Sequence, residues 1–356
     1  MISIAAASTA GVLLLAMASA LGYRAARQRR AARALTLHSP AGISEDGYVP
    51  IGGIDQWIQI RGEDLDNPVL MFLHGAGMTM TPFTPVLRSW ERHFTVVQWD
   101  RRGVGKTLAR NGRADSGQLT FDLMASDGVE VAEYLCRRLR TSKVIVLGHS
   151  QGTIVGILMA QRRPDLFSAY VGTGQITDMA RNEAASYQLA IERARATGHG
   201  KAARELTKIG APPYPSARTW LIKQRWSFET DPELRAWGKK SLPMVLTAPQ
   251  RSLRDVYLFN TAFTFYPQPL YTETMAWNAA LHGTRFEVPF FLFQGDSDRV
   301  TLTTLATEYF DTIRAPVKEL ALIPGGAHCA VLMQPDAILD QLRARVIPAA
   351  TSASPA

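Results

Sequence analysis

Residues 144–153 read VIVLGHSQGT: a short apolar run of strand character, then Gly148-His149-Ser150-Gln151-Gly152, then a helical pattern over residues 153–163. A chain that passes from a buried strand into a helix within so few residues must turn sharply. Glycines two positions before and two after the serine remove the Cβ atoms that would strike the neighbouring strand or helix. The bend then leaves the Ser150 hydroxyl at the C-terminal edge of a sheet, at the start of a helix whose dipole favours developing negative charge. A purely structural reading makes Ser150 an N-cap and the glycines plain turn formers; the strand-to-helix setting favours an exposed nucleophile.

The same rhythm runs along the rest of the chain. Residues 56–61 (QWIQIR) alternate like a half-exposed strand, while residues 68–73 (PVLMFL) and 94–99 (FTVVQW) are continuous apolar runs suited to strands buried on both faces. Between them and the strands at 143–147, 169–172, 289–294 and 319–323 lie amphipathic helical patterns, including 121–139, 303–313 and 335–345. This alternation predicts an α/β fold with a mostly parallel central sheet flanked by helices. The rhythm breaks over residues 175–286, a stretch of helical spacing rich in Arg, Ala and aromatic residues and interrupted by APPYPS at 211–216. It predicts an inserted helical lid that splits the core into residues 48–174 and 287–347, with a disordered tail at 348–356.

A formal charge of +8 raises the question of nucleic-acid binding, but the excess is local. Arg24, Arg27, Arg29, Arg30 and Arg33 fall within the first 38 residues, which leaves 34 basic against 31 acidic groups elsewhere, so no nucleic-acid partner is expected. Residues 1–22 carry no charge and match the length a helix needs to cross a bilayer. Residues 1–23 therefore read as a transmembrane anchor, and 24–47 as a basic flank and polar linker. The arginines after the apolar run predict that the C-terminal domain is cytoplasmic. The alternative is export after cleavage of a signal peptide at Ala18-Ser19-Ala20, although no cation precedes the apolar run. Cys136 and Cys329 fit a reducing compartment, and the seven histidines show no metal-ligand spacing, so neither metal nor cofactor is expected.

A serine hydroxyl needs a base, and the base an orienting carboxylate. After the strand at 289–294 comes GDSDRV, and after that at 319–323 comes PGGAHCAV, each in a loop at the same sheet edge as Ser150. His328 is the candidate base; Asp296 and Asp298 are candidate acids. His74-Gly75-Ala76-Gly77 follows another buried strand, and such a loop turns N–H groups toward a developing oxyanion. Ala76 and Gln151 are the expected main-chain donors. The block WDRRGVGKT at 99–107 lacks phosphate-loop spacing, and Arg101 and Arg102 are expected to tie loops together under the site.

With HGAG, WDRRGVGKT, GHSQG, GDSD and GGAH in that order, the chain resembles the α/β-hydrolase superfamily, and within it the proline iminopeptidase-like group, peptidase family S33. The resemblance covers roughly residues 48–347 and includes the run EYFDTIRAPVKELALIPGGAHCAVLMQPD. It implies an acid three residues after the glycine that ends its strand, hence Asp298 after Gly295. The chain departs from the group in having HGAGM and GHSQG where true iminopeptidases resemble HGGPG and GGSWG. Those enzymes also need lid carboxylates for a substrate ammonium, for which Glu183, Glu192, Glu229 and Glu273 are available.

The expectation is a serine hydrolase that cleaves an ester or amide through an acyl-enzyme, with Ser150, His328 and Asp298 as its triad. An aminopeptidase acting on small peptides and a catalytically silent membrane-tethered binding protein are the alternatives. The expected substrate is a small molecule or short peptide. Trp220, Trp226, Trp237, Phe259, Phe263, Phe265, Tyr266 and Trp277 suggest an apolar pocket, or equally a lid packed onto the core.

Overall fold

The continuous apolar runs become strands with no exposed face. In a computed structural model, which describes residues 2–114, 117, 119–249 and 251–352, β3 (Val69–Leu73), β4 (Thr95–Asp100), β5 (Val144–His149), β6 (Phe167–Thr173) and β7 (Phe290–Gly295) are buried along their whole length. Burial on both faces requires helices on both faces. The sheet has eight strands in the order β1-β2-β4-β3-β5-β6-β7-β8, completed by β1 (Ile43–Ile51), β2 (Ile54–Gly62) and β8 (Lys318–Ile323). Pairing is antiparallel for β1 with β2 and β2 with β4, and parallel throughout the rest. This is the mostly parallel, helix-flanked sheet that the alternating pattern predicted, in the α/β-hydrolase arrangement that the resemblance implied.

The β1–β2 hairpin closes on Gly52 and Gly53, both at positive φ, between the paired Ile51 and Ile54. Such a two-residue turn matches the twist of the strands it joins. The strand extends further back than the sequence suggested, because residues 43–47 of the expected linker belong to β1, with Ile43 buried and the next four alternating between exposed and half-buried.

Helices α1 (Ile2–Ala34), α2 (Gly105–Asn111), α3 (Phe121–Leu139) and α4 (Gln151–Arg162) follow in chain order. On one side of the sheet, Met124, Val131 and Leu135 of α3 pack with Ile154 and Ile157 of α4. Between β6 and β7 the chain inserts α5 (Met179–Ala196), α6 (Gly200–Ile209), α7 (Ala217–Thr230), α8 (Pro232–Thr247), α9 (Leu253–Phe265) and α10 (Pro267–Ala276). After β7 come α11 (Thr303–Thr312), α12 (Ala330–Met333), α13 (Pro335–Gln341) and α14 (Ile347–Ser352). Residues 348–352 are thus helical where a disordered tail was expected, and 353–356 lie outside the described residues.

The membrane anchor expected at residues 1–23 is not sustained: among the described residues, no helix is long and apolar enough to cross a membrane. Met1 lies outside them. The apolar stretch belongs to one helix, α1, with the arginines, and its second half is held against protein. Arg24 Nε donates to Leu246 O at 2.9 Å, and Gln28 Nε2 donates to Ala248 O and Arg251 O at 2.8 and 2.9 Å. Arg61 Nη2 holds Leu35 O, just beyond the helix, at 2.5 Å. Arg24 and Gln28 of the expected membrane flank therefore serve as hydrogen-bond donors to α8 and the segment that follows it, and the cytoplasmic localisation drawn from the anchor falls with it.

A buried polar network fastens the hairpin to the sheet. Asp127 of α3 pairs with the guanidinium of Arg102 and accepts from Gln56 Nε2 at 2.8 Å, while Gln56 Oε1 accepts from Trp99 Nε1 at 2.8 Å. Arg102 also donates to Gly52 O in the hairpin turn. Removing one member of such a pair leaves the other charge buried and uncompensated. Asp127→Ala is expected to lower stability by about 3 kcal/mol, read as a shifted urea midpoint, whereas breaking a solvent-screened surface pair such as Arg181–Glu308 should leave that midpoint nearly unchanged.

Candidate active site

The loops at the C-terminal ends of β3, β5, β7 and β8 bring together residues far apart in sequence. At the end of β5, Ser150 adopts φ 53° and ψ −123°, a conformation costly for a residue with a side chain. Surrounding contacts enforce it. Ser150 N donates to Thr173 O at 3.0 Å, and Thr153 Oγ1 donates to Ser150 O at 2.6 Å. A Cβ on Gly152 would lie 2.1 Å from Leu73 O, and one on Gly148 would lie 2.7 Å from Gly152 O. Both glycines are needed because backbone meets backbone where the start of α4 meets the ends of β3 and β5.

Ser150 Oγ lies 3.1 Å from His328 Nε2, and His328 Nδ1 lies 2.9 Å from Asp298 Oδ2. His328 and Asp298 are 5% and 3% exposed. Asp296 is exposed and does not take this position, so the carboxylate facing His328 belongs to Asp298. Its surroundings suit a carboxylate. Val300 N and Thr301 N donate to Oδ1 at 2.9 Å each, while Thr301 Oγ1 and Gln294 Nε2 donate to Oδ2 at 2.8 and 3.0 Å. Burial pushes the Asp298 carboxyl up, but attraction to His328 and the bonds from His328 and Thr301 outweigh it and hold the group below its ordinary range.

Thr301 and Gln294 were not singled out from the sequence. The signal for Thr301 was present, since an aspartate three residues before a threonine whose amide it can accept is a local turn pattern. Gln294 gave none, because a polar residue ending an apolar strand has no motif. His149 lies within the GHSQG motif, but nothing in the sequence assigned it a role of its own. Its ring lies 5.0 Å from that of His328, and Nδ1 lies 3.1 Å from Thr173 Oγ1. Burial, with the neighbouring His328 adding to it, pushes His149 down to about 3.

The glycine-rich loop after β3 packs beside the serine, so that a Cβ on Gly75 would stand 3.4 Å from Ser150 Cβ. Buried Arg101 reaches beneath this loop and donates to His74 O at 2.5 Å and Gly75 O at 3.4 Å. With these carbonyls drawn down, the loop's next amide is Ala76 N. Gln151 N is the first amide of α4 and has no helical partner. Ala76, Ser150 and Gln151 all line one cavity of about 410 Å³. Of the paired arginines, Arg101 thus supports this loop, while Arg102 points away to Asp127 and Gly52.

Helices α5, α7, α8 and α9 supply most of the remaining cavity wall, including Met179, Trp220, Phe228, Trp237, Val245 and Phe259. Of the aromatic residues expected there, Trp220, Trp237 and Phe259 line it, whereas Trp226 packs in a separate cluster with Tyr187 and Leu206, and Tyr266 and Trp277 are buried in the core. Phe265 packs against that core, and the Phe263 side chain lies outside those described. Among the candidate glutamates only Glu183 reaches the cavity. Its Oε2 stands 3.0 Å from Lys223 Nζ, with both side chains almost wholly buried. Glu273 accepts from Phe121 N at 2.9 Å, and Glu192 and Glu229 are exposed.

Two outcomes follow from this geometry. Gly152→Ala is expected to cost about 3 kcal/mol or more, or to prevent folding, because neither backbone segment can yield; urea unfolding reads it. The second concerns pH. An unfolded His149 binds a proton below about 6.5 whereas the folded one does not until about 3, so the unfolded state holds more protons in that window and stability falls as pH falls through it. The slope from one such group is at most about 1.4 kcal/mol per pH unit. His149→Gln should flatten the decline of the urea midpoint between pH 6.5 and 4.

Comparison with known proteins agrees with the fold. Residues 70–341 match the model of the alpha/beta hydrolase family. A Bacillus subtilis protein described as "Probable aminopeptidase YbaC" is 28% identical over 303 residues, covering 82% of this chain and 93% of that protein. Among solved structures, a proline iminopeptidase-related protein of Thermus thermophilus superposes with a TM-score of 0.59 at 19% identity, covering 86% of this chain and 99% of its own. An esterase of Rhodococcus sp. ECU1013 gives 0.56 at 15% identity, covering 85% and 98%. The first two support the resemblance to the proline iminopeptidase-like group. With a family match across most of its length, on an eight-stranded hydrolase sheet, the chain belongs to the alpha/beta hydrolase family and is a hydrolase enzyme.

Proposed function

We propose that this hydrolase is a serine carboxylesterase that works through an acyl-enzyme. The observation that carries the reading is the unbroken line from Ser150 Oγ through His328 to Asp298, at 3.1 and 2.9 Å. His328 Nε2 takes the hydroxyl proton as Oγ attacks the ester carbonyl, and the electron pair of the carbonyl moves onto its oxygen. That oxyanion is held by Ala76 N–H and Gln151 N–H, at the positive end of α4. Collapse breaks the bond to the leaving alkoxide, which receives the proton from His328. Water then enters, gives a proton to His328 and attacks the acyl carbon, and a second collapse returns the proton to Ser150 and frees the acid. Asp298 keeps the Nδ1 proton of His328 in place and stabilises the imidazolium.

The B. subtilis relative favours a second reading, an aminopeptidase. That activity calls for an unneutralised carboxylate to meet a substrate ammonium. Glu183 is the glutamate at the cavity, and Lys223 already balances its charge. The cavity wall is otherwise dominated by apolar side chains, which supports an uncharged and largely apolar substrate.

Side-by-side assays decide between these readings. The protein should hydrolyse p-nitrophenyl esters and turn over prolyl and other aminoacyl arylamides far more slowly; preferential arylamide turnover would establish the aminopeptidase instead. Ser150→Ala should lower ester kcat by about a millionfold and abolish labelling by a fluorophosphonate, and Asp298→Asn should lower it about ten-thousandfold. Undiminished turnover by pure Ser150→Ala protein would defeat the nucleophile assignment.

A further inference from the structure

The imidazole of His328 is accounted for on three sides. Nδ1 faces Asp298, Nε2 faces Ser150, and Cε1 lies so close to Gly174 that a Cβ there would stand 3.0 Å from it. His149 shares that last side, since its Cε1 would meet the same Cβ at 3.1 Å. The inserted helices add a ring contact of another kind. Phe228 of α7 sets its ring at 87° to the imidazole with 6.0 Å between centroids, an edge-to-face arrangement. Both rings line the cavity that holds Ser150.

Phe228 differs from the other aromatic residues of this wall in what it has left to bury. Trp220, Gln224 and Phe228 recur every four residues along one face of α7, and all three line the cavity. Trp220, Trp237 and Phe259 are 6%, 9% and 7% exposed, so packing has already consumed their apolar surface. Phe228 is 36% exposed. Open ring surface beside a reacting centre gains by meeting an apolar group of the substrate.

The course of acyl transfer decides which group that is. His328 Nε2 gives the proton taken from Ser150 Oγ to the leaving oxygen as the bond from that oxygen to the acyl carbon breaks. The leaving oxygen therefore stands within hydrogen-bond reach of the imidazole, and the carbons attached to it begin beside the ring that Phe228 touches. The acyl carbon is bonded to Ser150 Oγ and turns its own oxygen to Ala76 and Gln151, which sends the acyl chain in a third direction.

We propose that Phe228 determines specificity on the alcohol side of the scissile bond, and that the enzyme prefers esters whose leaving alcohol carries an apolar group large enough to cover its ring. The inference rests on the serine-hydrolase reading of the same site, and it gives the alcohol a contact separate from those of the acyl chain.

The test compares methyl butanoate, benzyl butanoate and methyl hexanoate by titration of the acid released. Methanol and benzyl alcohol depart with nearly equal ease, so the benzyl-to-methyl ratio of kcat/KM reads contacts made to the alcohol in the acylation step. The wild type should favour the benzyl ester. Phe228→Ala should lower that ratio about tenfold, the order of one apolar contact in a pocket, and leave the hexanoate-to-butanoate ratio as in the wild type. Phe228→Tyr keeps the ring and should keep both ratios. Should the alanine variant fail to fold, Phe228→Leu carries the same test with the same expected direction. A benzyl-to-methyl ratio unchanged by loss of the ring overturns the assignment, and so does an equal fall in both ratios, which a general loosening of α7 would give. Failure of the hydrolase reading looks different: the wild type then turns over none of the three esters and takes no fluorophosphonate label, and the alcohol-side role falls with it.

Discussion

The tight approach of α4 to the end of β3 is the constraint on which the rest of the site depends. Only hydrogens separate Gly152 Cα from the Leu73 carbonyl, and that closeness forces Ser150 into a left-handed conformation between strand and helix. A serine in ordinary backbone geometry would continue either the strand or the helix, with its hydroxyl packed along one of them. The strained turn instead delivers Oγ to the cavity and leaves the first amide of α4 without a helical partner. The strain persists because β5 and β6 on one side and β3 on the other are central strands buried on both faces.

Around that fixed point the electrostatics are arranged by satisfaction rather than by exposure. Asp298 is almost completely buried, which by itself favours the neutral acid, yet five hydrogen-bonding groups converge on its two oxygens and reverse the preference. The carboxylate is thereby held in one orientation toward His328. Arg101 serves the opposite side of the site in a different way. Its Nη2 reaches two carbonyls of the glycine-rich loop, so a buried cation that pairs with no carboxylate among the described residues is spent on backbone orientation.

The inserted helices determine what can reach this centre. Their apolar side chains form a cavity wall, and the buried carboxylate of Glu183 there is neutralised by Lys223 within the wall itself. A hydrolase core that resembles peptidases thus sits beneath a surface better matched to uncharged groups. The paired loss of the iminopeptidase loop residues and of an available lid carboxylate points the same way.

Much of this was legible in the residues, and the reason is locality. Strand burial and the glycine spacing around Ser150 follow from sterics and hydrophobic pattern within a few residues, so the alternation and the GHSQG turn sufficed for the fold class and the candidate nucleophile. His328 followed from its position after a late strand. The choice between Asp296 and Asp298 could be made from the sequence only by resemblance; in the folded chain it is made by the turn at Val300 and Thr301, whose amides capture one carboxylate. The N-terminal helix misled for the opposite reason. Its uncharged first half carries the composition of a membrane span, while its actual partners, the carbonyls of Leu246, Ala248 and Arg251, lie more than two hundred residues away. The fate of Glu183 was equally invisible, because nothing near it in the chain announces Lys223. The sequence by itself determined the backbone architecture and the residue types at the strand ends, since those depend on short-range sterics and periodicity. Only the tertiary structure decided which charges are neutralised and which polar atoms are left open, because that depends on which side chains meet when distant helices pack.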